Sequence, residues 1–308
     1  ELVSQGRDLR IDACRGIALW FIFLDHIPNN VGDWLTLRHY GFSDAAEMFA
    51  FISGVSCALA YGKTWSREGW TGVIVRTLRR SWAIYVAFLL LTLACTLMAY
   101  LAGGGQFADD SNTRILLEQP GATLTHATML QYRPVNTDIL PLFVLLHLLF
   151  APLLWLLLHR QWLVLGLSGL LYLGAGANNW NLAGYPPGRT WFFNPLCWQF
   201  LFVIGACCAL RPDVMAALGR QRRWLLPLAG AYLGFALAIV STLRPVTVSG
   251  TPSTVMVHGV AACAAGSSQS TRSWSFVGRS PWMQRSRDWT VRPSGASLGS
   301  SSVLQAGS

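Results

Sequence analysis

The segment Ala83-Ile-Tyr-Val-Ala-Phe-Leu-Leu-Leu-Thr-Leu-Ala-Cys-Thr-Leu-Met-Ala-Tyr-Leu-Ala-Gly103 contains no charged side chain. A helix rises 1.5 Å per residue, so about 20 apolar residues cross the hydrocarbon core of a bilayer. Further apolar segments lie at 13–29, 45–62, 137–158, 162–178, 191–210 and 224–243. We therefore predict an all-α fold, a polytopic transmembrane helical bundle with about seven spans.

The composition of the whole chain favours a bilayer as its solvent. Of the 308 residues, 53% are hydrophobic and only 12% are charged, whereas a soluble globular protein carries about 25% charged residues. The net charge of +9 could attract nucleic acid, but membrane proteins also collect basic residues in their cytoplasmic loops. The positions of the arginines favour the membrane, and we expect no nucleic-acid partner.

The arginines predict the orientation of the spans. Most of the clustered arginines lie before the first span and in alternate loops, at Arg7, Arg10, Arg76, Arg79, Arg80, Arg160, Arg211, Arg220, Arg222 and Arg223. Under the positive-inside rule these loops and the N-terminus face the cytoplasm. The loops at roughly 30–44, 104–136 and 179–190 then face the periplasm. We predict a multi-pass protein of the bacterial inner (cell) membrane.

Residues 250–308 differ in composition from residues 1–249, which contain all the predicted spans. Residues 251–308 contain 14 serines, against 10 in the preceding 250 residues, and show neither helical nor strand periodicity. Such a segment cannot build a packed core, so we expect a disordered, low-complexity tail. The tail is either natural or the product of a shifted reading frame, in which case another frame should encode further apolar spans.

The first span carries an arginine and a histidine on one predicted face. Eleven residue steps of 100° nearly complete three turns, so Arg15 and His26 would lie about 16 Å apart along the axis. Arginine binds phosphate in a bidentate geometry, and a neutral histidine accepts a proton from an attacking hydroxyl. The pair would suit an anionic acyl donor that enters from the cytoplasm. The alternative is an interfacial anchor at Arg15 and a polar helix end at His26.

Two carboxylates begin the second span. Asp44 and Glu47 share a helix face, and antiparallel neighbours would place them at the depth of His26. A carboxylate there can orient the imidazole and stabilise its protonated form. Helix capping is the favoured role for Asp44, whereas the more apolar context of Glu47 favours catalysis. The Ser53-Gly54 pair is expected to allow close helix packing.

Polar residues of the later spans are weaker candidates. Asn194, Trp198 and Gln199 open the sixth span on its predicted outer side, where they would suit a sugar acceptor. An interfacial tryptophan belt explains the indole equally well. We expect Asp138 to cap the fourth span and His147 to be a hydrogen-bonded structural residue. The cysteines show no C-x-x-C pair and no histidine at ligand spacing, so we expect neither a metal site nor a bound cofactor.

A set of short motifs is similar to those of a known family. Arg15, ten intervening residues and His26 form an R-x10-H pattern. The other motifs are Arg7-Asp-Leu-Arg-Ile-Asp12, Phe23-Leu-Asp-His-Ile-Pro28, Trp34-Leu-Thr-Leu-Arg38, Gly41-Phe-Ser-Asp-Ala-Ala-Glu47, Phe51-Ile-Ser-Gly54, Asp138-Ile-Leu-Pro141, Trp191-Phe-Phe-Asn-Pro195 and Trp198-Gln199. Together they resemble the OpgC branch of the membrane-bound acyltransferase-3 superfamily, from roughly residue 7 to residue 243.

The resemblance implies an activity. Members of this family are multi-helix inner-membrane enzymes that place succinyl groups on osmoregulated periplasmic glucans, with succinyl-CoA as the donor. It implies that His26 is catalytic with help from Glu47 or Asp44, and that Arg15 binds the donor. Family members continue with further membrane helices where this chain has its serine-rich tail.

We therefore predict an O-acyltransferase whose partners are the lipid bilayer, an acyl-CoA donor and a periplasmic glucan acceptor. Two alternatives remain open: a membrane transporter or flippase for a sugar or lipid, and an inactive truncated product. Loss of acylation in a His26→Ala protein of normal abundance would separate the enzyme from both alternatives.

Overall fold

The computed structural model describes residues 9–27, 31–37, 40, 43–103, 105, 108 and 111–243. The helices are α1 (Leu9–Asp25), a 3-10 helix (Val31–Leu35), α2 (Ala45–Leu101), α3 (Arg114–Glu118), α4 (Pro120–Thr128), α5 (Ile139–Leu148), α6 (Phe150–Asn178), α7 (Pro195–Leu210), α8 (Pro212–Arg220) and α9 (Arg222–Leu243). The predicted all-α fold is confirmed for this part of the chain. The tail predicted at 250–308 lies outside the described residues.

Two of these helices are long and apolar enough to cross a membrane, α2 with 57 residues and α6 with 29 residues. Only 17% and 28% of their most apolar windows are buried, whereas a helix that is apolar on all sides is buried throughout in a soluble protein. Large side chains such as Leu90, Leu97 and Leu170 are mostly exposed. The outward-facing apolar surface is compatible with a membrane protein, and the number of seven spans stays a prediction.

Helix α2 folds back on itself at Gly69, where a φ of 70° and a ψ of −163° interrupt the helix. Glycine suits this conformation because it has no Cβ. Before the interruption, Cys57 Sγ lies 3.5 Å from His147 Nε2, and after it, Ser81 Oγ donates to the Val144 carbonyl at 2.9 Å. Because His147 and Val144 lie about one turn apart on α5, the two arms of α2 lie side by side.

Helix α6 is interrupted in a similar way at Arg160, with a φ of −143° and a ψ of 56°. Its first arm packs Phe150 edge-on against Phe202 of α7, with ring centroids 5.6 Å apart. Its second arm meets α7 where Ser168 Oγ donates to Gln199 Oε1 at 2.5 Å. The interruptions of α2 and α6 both fall between segments that the sequence predicts as separate spans.

The crossing of α2 and α7 forms the centre of the bundle, and there the two backbones are in contact. A Cβ built on Gly54 would lie 2.0 Å from the Phe202 carbonyl oxygen, and one on Gly205 would lie 2.1 Å from the Phe51 carbonyl oxygen. Only glycine permits this approach, because any other residue would overlap the facing backbone. The close packing predicted at Gly54 is confirmed, whereas the sequence did not single out Gly205.

The bundle has two ends. We name one end of the bundle the turn end, because the interruption of α6 at Arg160 lies there. At this end, Gly62 of α2 and Arg160 of α6 both lie next to Leu210 of α7. At the cap end, Phe49 and Phe143, near the starts of α2 and α5, pack with ring centroids 5.2 Å apart. The segments 111–138 and 179–194, which lead into α5 and α7, belong to the cap end. In the predicted topology the turn end is cytoplasmic and the cap end is periplasmic.

Some segments predicted as connections contain further helices. The predicted loop at 104–136 contains α3 and α4, and α4 begins with Pro120, a residue that suits the first turn of a helix. Helix α8 lies between the sixth and seventh predicted spans. The search for apolar segments missed these helices because they are short and carry polar residues.

Candidate functional site

Helix α1 carries the predicted donor-binding Arg15, ends directly before the predicted catalytic His26, and packs on α2. Its Ala18 is buried, and the Arg15 guanidinium lies within electrostatic range of the Cys57 thiol on α2. At 1.5 Å per residue, Arg15 on α1 and Cys57 on α2 each lie about 17 Å from the connection between these two helices. The two helices are therefore antiparallel neighbours, with His26 and Asp44 both at the cap end.

The His26 side chain is exposed directly after the last residue of α1. Its Nδ1 lies 2.6 Å from the carbonyl oxygen of Ile22. A carbonyl oxygen only accepts hydrogen bonds, so Nδ1 carries the proton, and Nε2 of the neutral ring keeps its lone pair. This is the tautomer in which Nε2 can act as a base. In the described part of the chain, the ring is oriented by its own helix.

Arg15 is partly buried on the same helix. Its guanidinium pairs with Asp12 at 2.7 Å, one helical turn earlier, and the Arg15 side chain is 36% exposed. A guanidinium has five N–H donors, so this ion pair leaves donors for an anionic ligand. The sequence analysis did not identify Asp12 as a partner, although the i,i+3 spacing was a local signal for it.

The two predicted carboxylates lie at the start of α2. Asp44 is the N-cap, and its Oδ1 accepts from the Glu47 backbone N–H at 3.0 Å, so the capping prediction is confirmed. Glu47 is buried, and its Oε2 accepts from the Ser43 hydroxyl at 2.5 Å. Among the described residues there is no hydrogen bond from His26 to either carboxylate. Their catalytic roles stay predictions.

Asn194 and Trp198, two of the predicted acceptor-binding residues, both make structural contacts within the protein. Asn194 caps α7 by accepting from the Leu196 N–H at 3.1 Å, and its amide donates to the Trp180 carbonyl at 2.7 Å. Trp198 is buried and packs edge-on against Phe193, with ring centroids 4.8 Å apart. Both side chains hold the start of α7 in place, and contact with an acceptor stays a prediction.

Gln199, the third predicted acceptor-binding residue, joins α7 to α6. Its Oε1 accepts from the Ser168 hydroxyl at 2.5 Å, and its Nε2 donates to the Ser168 carbonyl at 3.0 Å. His147 likewise has a structural environment, because it is buried and its Nδ1 lies 2.8 Å from the Phe143 carbonyl oxygen. The structural role predicted for His147 is confirmed, and the acceptor-binding role of Gln199 stays a prediction.

Asp138 occupies the N-cap position of α5, as expected, but its side chain does not act as the cap. Its side chain makes no capping hydrogen bond, and its Oδ1 accepts from Arg133 Nε at 2.9 Å. A hydrogen bond between two charged groups is roughly twice as strong as one between neutral groups. The guanidinium of Arg133, which lies in the same connection between α4 and α5, therefore binds the carboxylate that local spacing had assigned to the helix start.

Arg133 is a buried cation that the sequence analysis missed. Only 8% of the residue is exposed, and besides Asp138 it donates to the carbonyls of Leu130 at 3.0 Å and Thr190 at 3.4 Å. Its guanidinium also stacks 4.7 Å from the centre of the Trp191 ring. Burial lowers the pKa of Arg133, and the carboxylate of Asp138 opposes this shift. The available signal was an arginine in a loop that the positive-inside rule assigns to the periplasm.

Comparison with known proteins identifies the family. The family model described as OpgC protein matches residues 7–269, a range that includes all the helices described above. No curated protein and no solved structure matches the chain significantly. The family match indicates an OpgC-like glucan-modifying enzyme of the transferase class. By this match over most of its length, the chain belongs to the OpgC protein family.

Proposed function

We propose that the chain is an inner-membrane O-acyltransferase that transfers a succinyl group from a cytoplasmic CoA donor to a hydroxyl of a periplasmic glucan. Family membership supports the class of enzyme. The observation that carries the mechanism is the exposed imidazole of His26, whose Nδ1 is engaged by the Ile22 carbonyl. The proposal includes the seven-span topology and membership of the wider acyltransferase-3 superfamily.

In the proposed reaction, His26 Nε2 removes the proton from a glucan hydroxyl. The hydroxyl oxygen attacks the thioester carbonyl, the carbon–sulfur bond breaks, and the departing CoA thiolate takes the proton back from the imidazolium. General base catalysis of this kind contributes about 10²–10⁴-fold to a rate. The Ile22 carbonyl holds Nδ1–H throughout, which keeps the ring in the tautomer that the first step requires.

Arg15 is proposed to bind a phosphate of the donor. Its ion pair with Asp12 orients the guanidinium and leaves other N–H groups for a second anion. Arg15 precedes His26 by about 16 Å along the helix. The extended pantetheine arm of CoA would bridge this distance and bring the thioester to the imidazole.

The test uses a strain that lacks its own copy of the enzyme and measures its periplasmic glucans by mass spectrometry. Expression of the chain should add succinyl mass, and His26→Ala should reduce this modification at least 100-fold, because the base is lost. Trp20→Leu is the matched control on the same helix, since Trp20 is 59% exposed and lies outside the proposed site. Membrane abundance of each protein is measured by immunoblotting.

The outcomes separate the proposal from its alternatives. Unchanged succinylation in an abundant His26→Ala protein would contradict the mechanism. Unmodified glucans with the wild-type chain would contradict the proposed substrates, as expected for a transporter or an inactive product. A Glu47→Gln protein tests the second carboxylate role, because Gln can still accept from Ser43. If Glu47→Gln reduces succinylation as much as His26→Ala does, the charge of Glu47 is required. If the reduction is below tenfold, the Ile22 carbonyl alone is sufficient to orient the His26 ring.

A further inference from the structure

The turn end contains an open cleft with a volume of about 560 Å³. Residues 157–163, around the interruption of α6, form one side, and Leu210 and Arg211 at the end of α7 form the other. Small-molecule sites usually enclose about 300–1,000 Å³, so the cleft is large enough for a nucleotide. It lies apart from the cap end, where His26 and the carboxylates of α2 are found.

Two guanidinium groups line this cleft. Arg160 is exposed, and within the described part of the chain it has no hydrogen bond or ion pair. Arg211 pairs with Asp213 at 2.7 Å, and its guanidinium carbon lies 5.8 Å from the centre of the Trp162 ring. Arginine matches phosphate oxygens with two parallel N–H groups. Arg160 is therefore available to an anion at no cost to an existing ion pair.

The remaining lining adds an imidazole and an indole. His159 Nδ1 lies 2.7 Å from the Trp155 carbonyl oxygen, which leaves Nε2 for another partner. Trp162 is 67% exposed and offers a flat ring, and Leu157, which is 2% exposed, provides an apolar floor. Aromatic rings of this kind stack with nucleobases regardless of base identity. Phosphate-binding and base-binding groups thus occur together in one cleft.

We propose that this cleft binds the nucleotide end of the acyl-CoA donor, with Arg160 on a phosphate and Trp162 against the adenine ring. The inference rests on the proposed function for the identity of the donor. CoA carries a diphosphate and a separate 3′-phosphate, so Arg15 and Arg160 can each bind a different phosphate. The phosphate of an anionic lipid headgroup shares the chemistry that Arg160 recognises, and the experiment must separate the two ligands.

The position of the cleft agrees with one donor that reaches both arginines. Arg15 lies within electrostatic range of Cys57, on the same arm of α2 as Gly62. Gly62 in turn lies next to Leu210, which lines the cleft. A ligand that crosses this short stretch of α2 would contact the cleft with its nucleotide and Arg15 with its other phosphate group.

The test measures CoA binding by isothermal titration calorimetry with the full chain in nanodiscs of phosphatidylcholine, which carries no net charge. Arg160→Gln should raise the dissociation constant about tenfold or more, because a charge-assisted hydrogen bond is lost. Arg160→Lys should give an intermediate value, since the charge remains but the bidentate geometry is lost. Trp162→Ala should weaken binding about fivefold or more through lost stacking.

Arg220→Gln is the matched control, because Arg220 is an exposed arginine of α8 outside the cleft. It should leave the dissociation constant within a factor of two of the wild-type value. If Arg220→Gln and Arg160→Gln raise the dissociation constant equally, CoA is attracted only by the overall positive charge, and the proposal is overturned. Because Arg160 has an exposed side chain, its substitution should leave the elution profile of the purified protein unchanged.

A second arm of the experiment distinguishes the lipid. Nanodiscs that contain phosphatidylglycerol are analysed by native mass spectrometry after lipid removal. One outcome would assign the cleft to a lipid headgroup and overturn the donor assignment: the wild type retains phosphatidylglycerol, Arg160→Gln loses it, and the two proteins bind CoA with the same affinity. If the wild-type chain fails to bind CoA, the proposed function itself is contradicted. If the wild-type chain binds CoA and Arg160→Gln leaves the dissociation constant unchanged, only the assignment of the cleft to the donor is contradicted.

Discussion

The cap end contains Arg133 and Trp191, and the cleft at the turn end contains Arg160 and Trp162, but the two arginines have opposite environments. Arg133 at the cap end is 8% exposed and donates to Asp138 and to two backbone carbonyls. Arg160 at the turn end is exposed, with no ion pair or hydrogen bond among the described residues. Trp191 is buried beneath the first arginine, whereas Trp162 is exposed in the cleft of the second.

This contrast indicates that Arg133 stabilises the fold, whereas Arg160 is available to a ligand. A buried charge must be paired and hydrogen-bonded, or the cost of removing it from water destabilises the folded state. Arg133 satisfies this requirement by linking the two segments of the cap end, 111–138 and 179–194. An exposed arginine has no such requirement, so its conformation can adapt to an incoming phosphate.

Arg133→Ala is expected to have the largest effect on stability. It leaves the carboxylate of Asp138 without its cation, and breaking a buried ion pair costs about 3 kcal/mol. Arg160→Ala should change the free energy of unfolding by less than about 0.5 kcal/mol, as is usual for an exposed residue. Chemical unfolding of the purified proteins in detergent, followed by circular dichroism, measures both. Equal losses from the two substitutions would remove the distinction between the ends.

A double substitution tests whether the ion pair itself accounts for the stability that Arg133 provides. Arg133→Met combined with Asp138→Leu removes both charges, and such replacements often recover the stability lost when a single partner is removed. The double variant should therefore be more stable than Arg133→Ala. A double variant that is less stable would show that the hydrogen bonds to Leu130 and Thr190, rather than the ion pair, dominate.

Gly205→Ala tests the contact that joins the two ends, and we expect an intermediate effect. The new Cβ would lie 2.1 Å from the Phe51 carbonyl oxygen, so α2 and α7 must separate, at a cost of about 2 kcal/mol. Gly234→Ala is the matched control in α9, where nothing lies within 4 Å of the added Cβ. It should be neutral or slightly stabilising because Ala favours the helix. A neutral Gly205→Ala would rule out the close crossing.

Tyr132→Phe should have a smaller effect than Gly205→Ala and a distinct dependence on pH. The Tyr132 hydroxyl donates to the Asn112 carbonyl at 2.6 Å, and burial raises the pKa of the phenol above its usual 10.0. The neutral phenol therefore stabilises the fold fully below pH 10, and this contribution is lost as pH rises above 10. The variant should lose about 1 kcal/mol at pH 7 and show a shallower alkaline loss. The test measures the free energy of unfolding of the wild type and of Tyr132→Phe at pH 7 and at several pH values above 10.

Much of the fold could be predicted from the sequence because the relevant signals are local. Apolar segments of membrane-spanning length predicted helices on both sides of Gly69 and Arg160, and the structure interrupts α2 and α6 at these two residues. The cap at Asp44 followed from the preference of Asp for the N-cap, and the tight packing at Gly54 from its small size. The short helices α3, α4 and α8 were missed because they lack a long apolar pattern.

The candidate site was predictable only in part. The spacing of Arg15 and His26 was visible in the sequence, but the orientation of the His26 ring by the Ile22 carbonyl depends on the side-chain conformation at the helix end. The sequence assigned that orienting role to Glu47 or Asp44, which lie 21 and 18 positions after His26 in the chain. Local spacing also assigned a cap to Asp138, which the more distant charge of Arg133 overrides.

The sequence alone was enough to predict a helical protein with apolar segments of membrane-spanning length and an Arg15–His26 pair spaced about three helical turns apart. These features depend on composition and on the 3.6-residue period, which act over a few turns. The burial of Arg133, the exposure of Arg160 and the contact of Gly205 with the backbone of α2 became visible only in the tertiary structure. Burial depends on partners that are distant in sequence, such as Thr190, 57 residues from Arg133. No local pattern encodes such a contact, because it forms only when the helices pack.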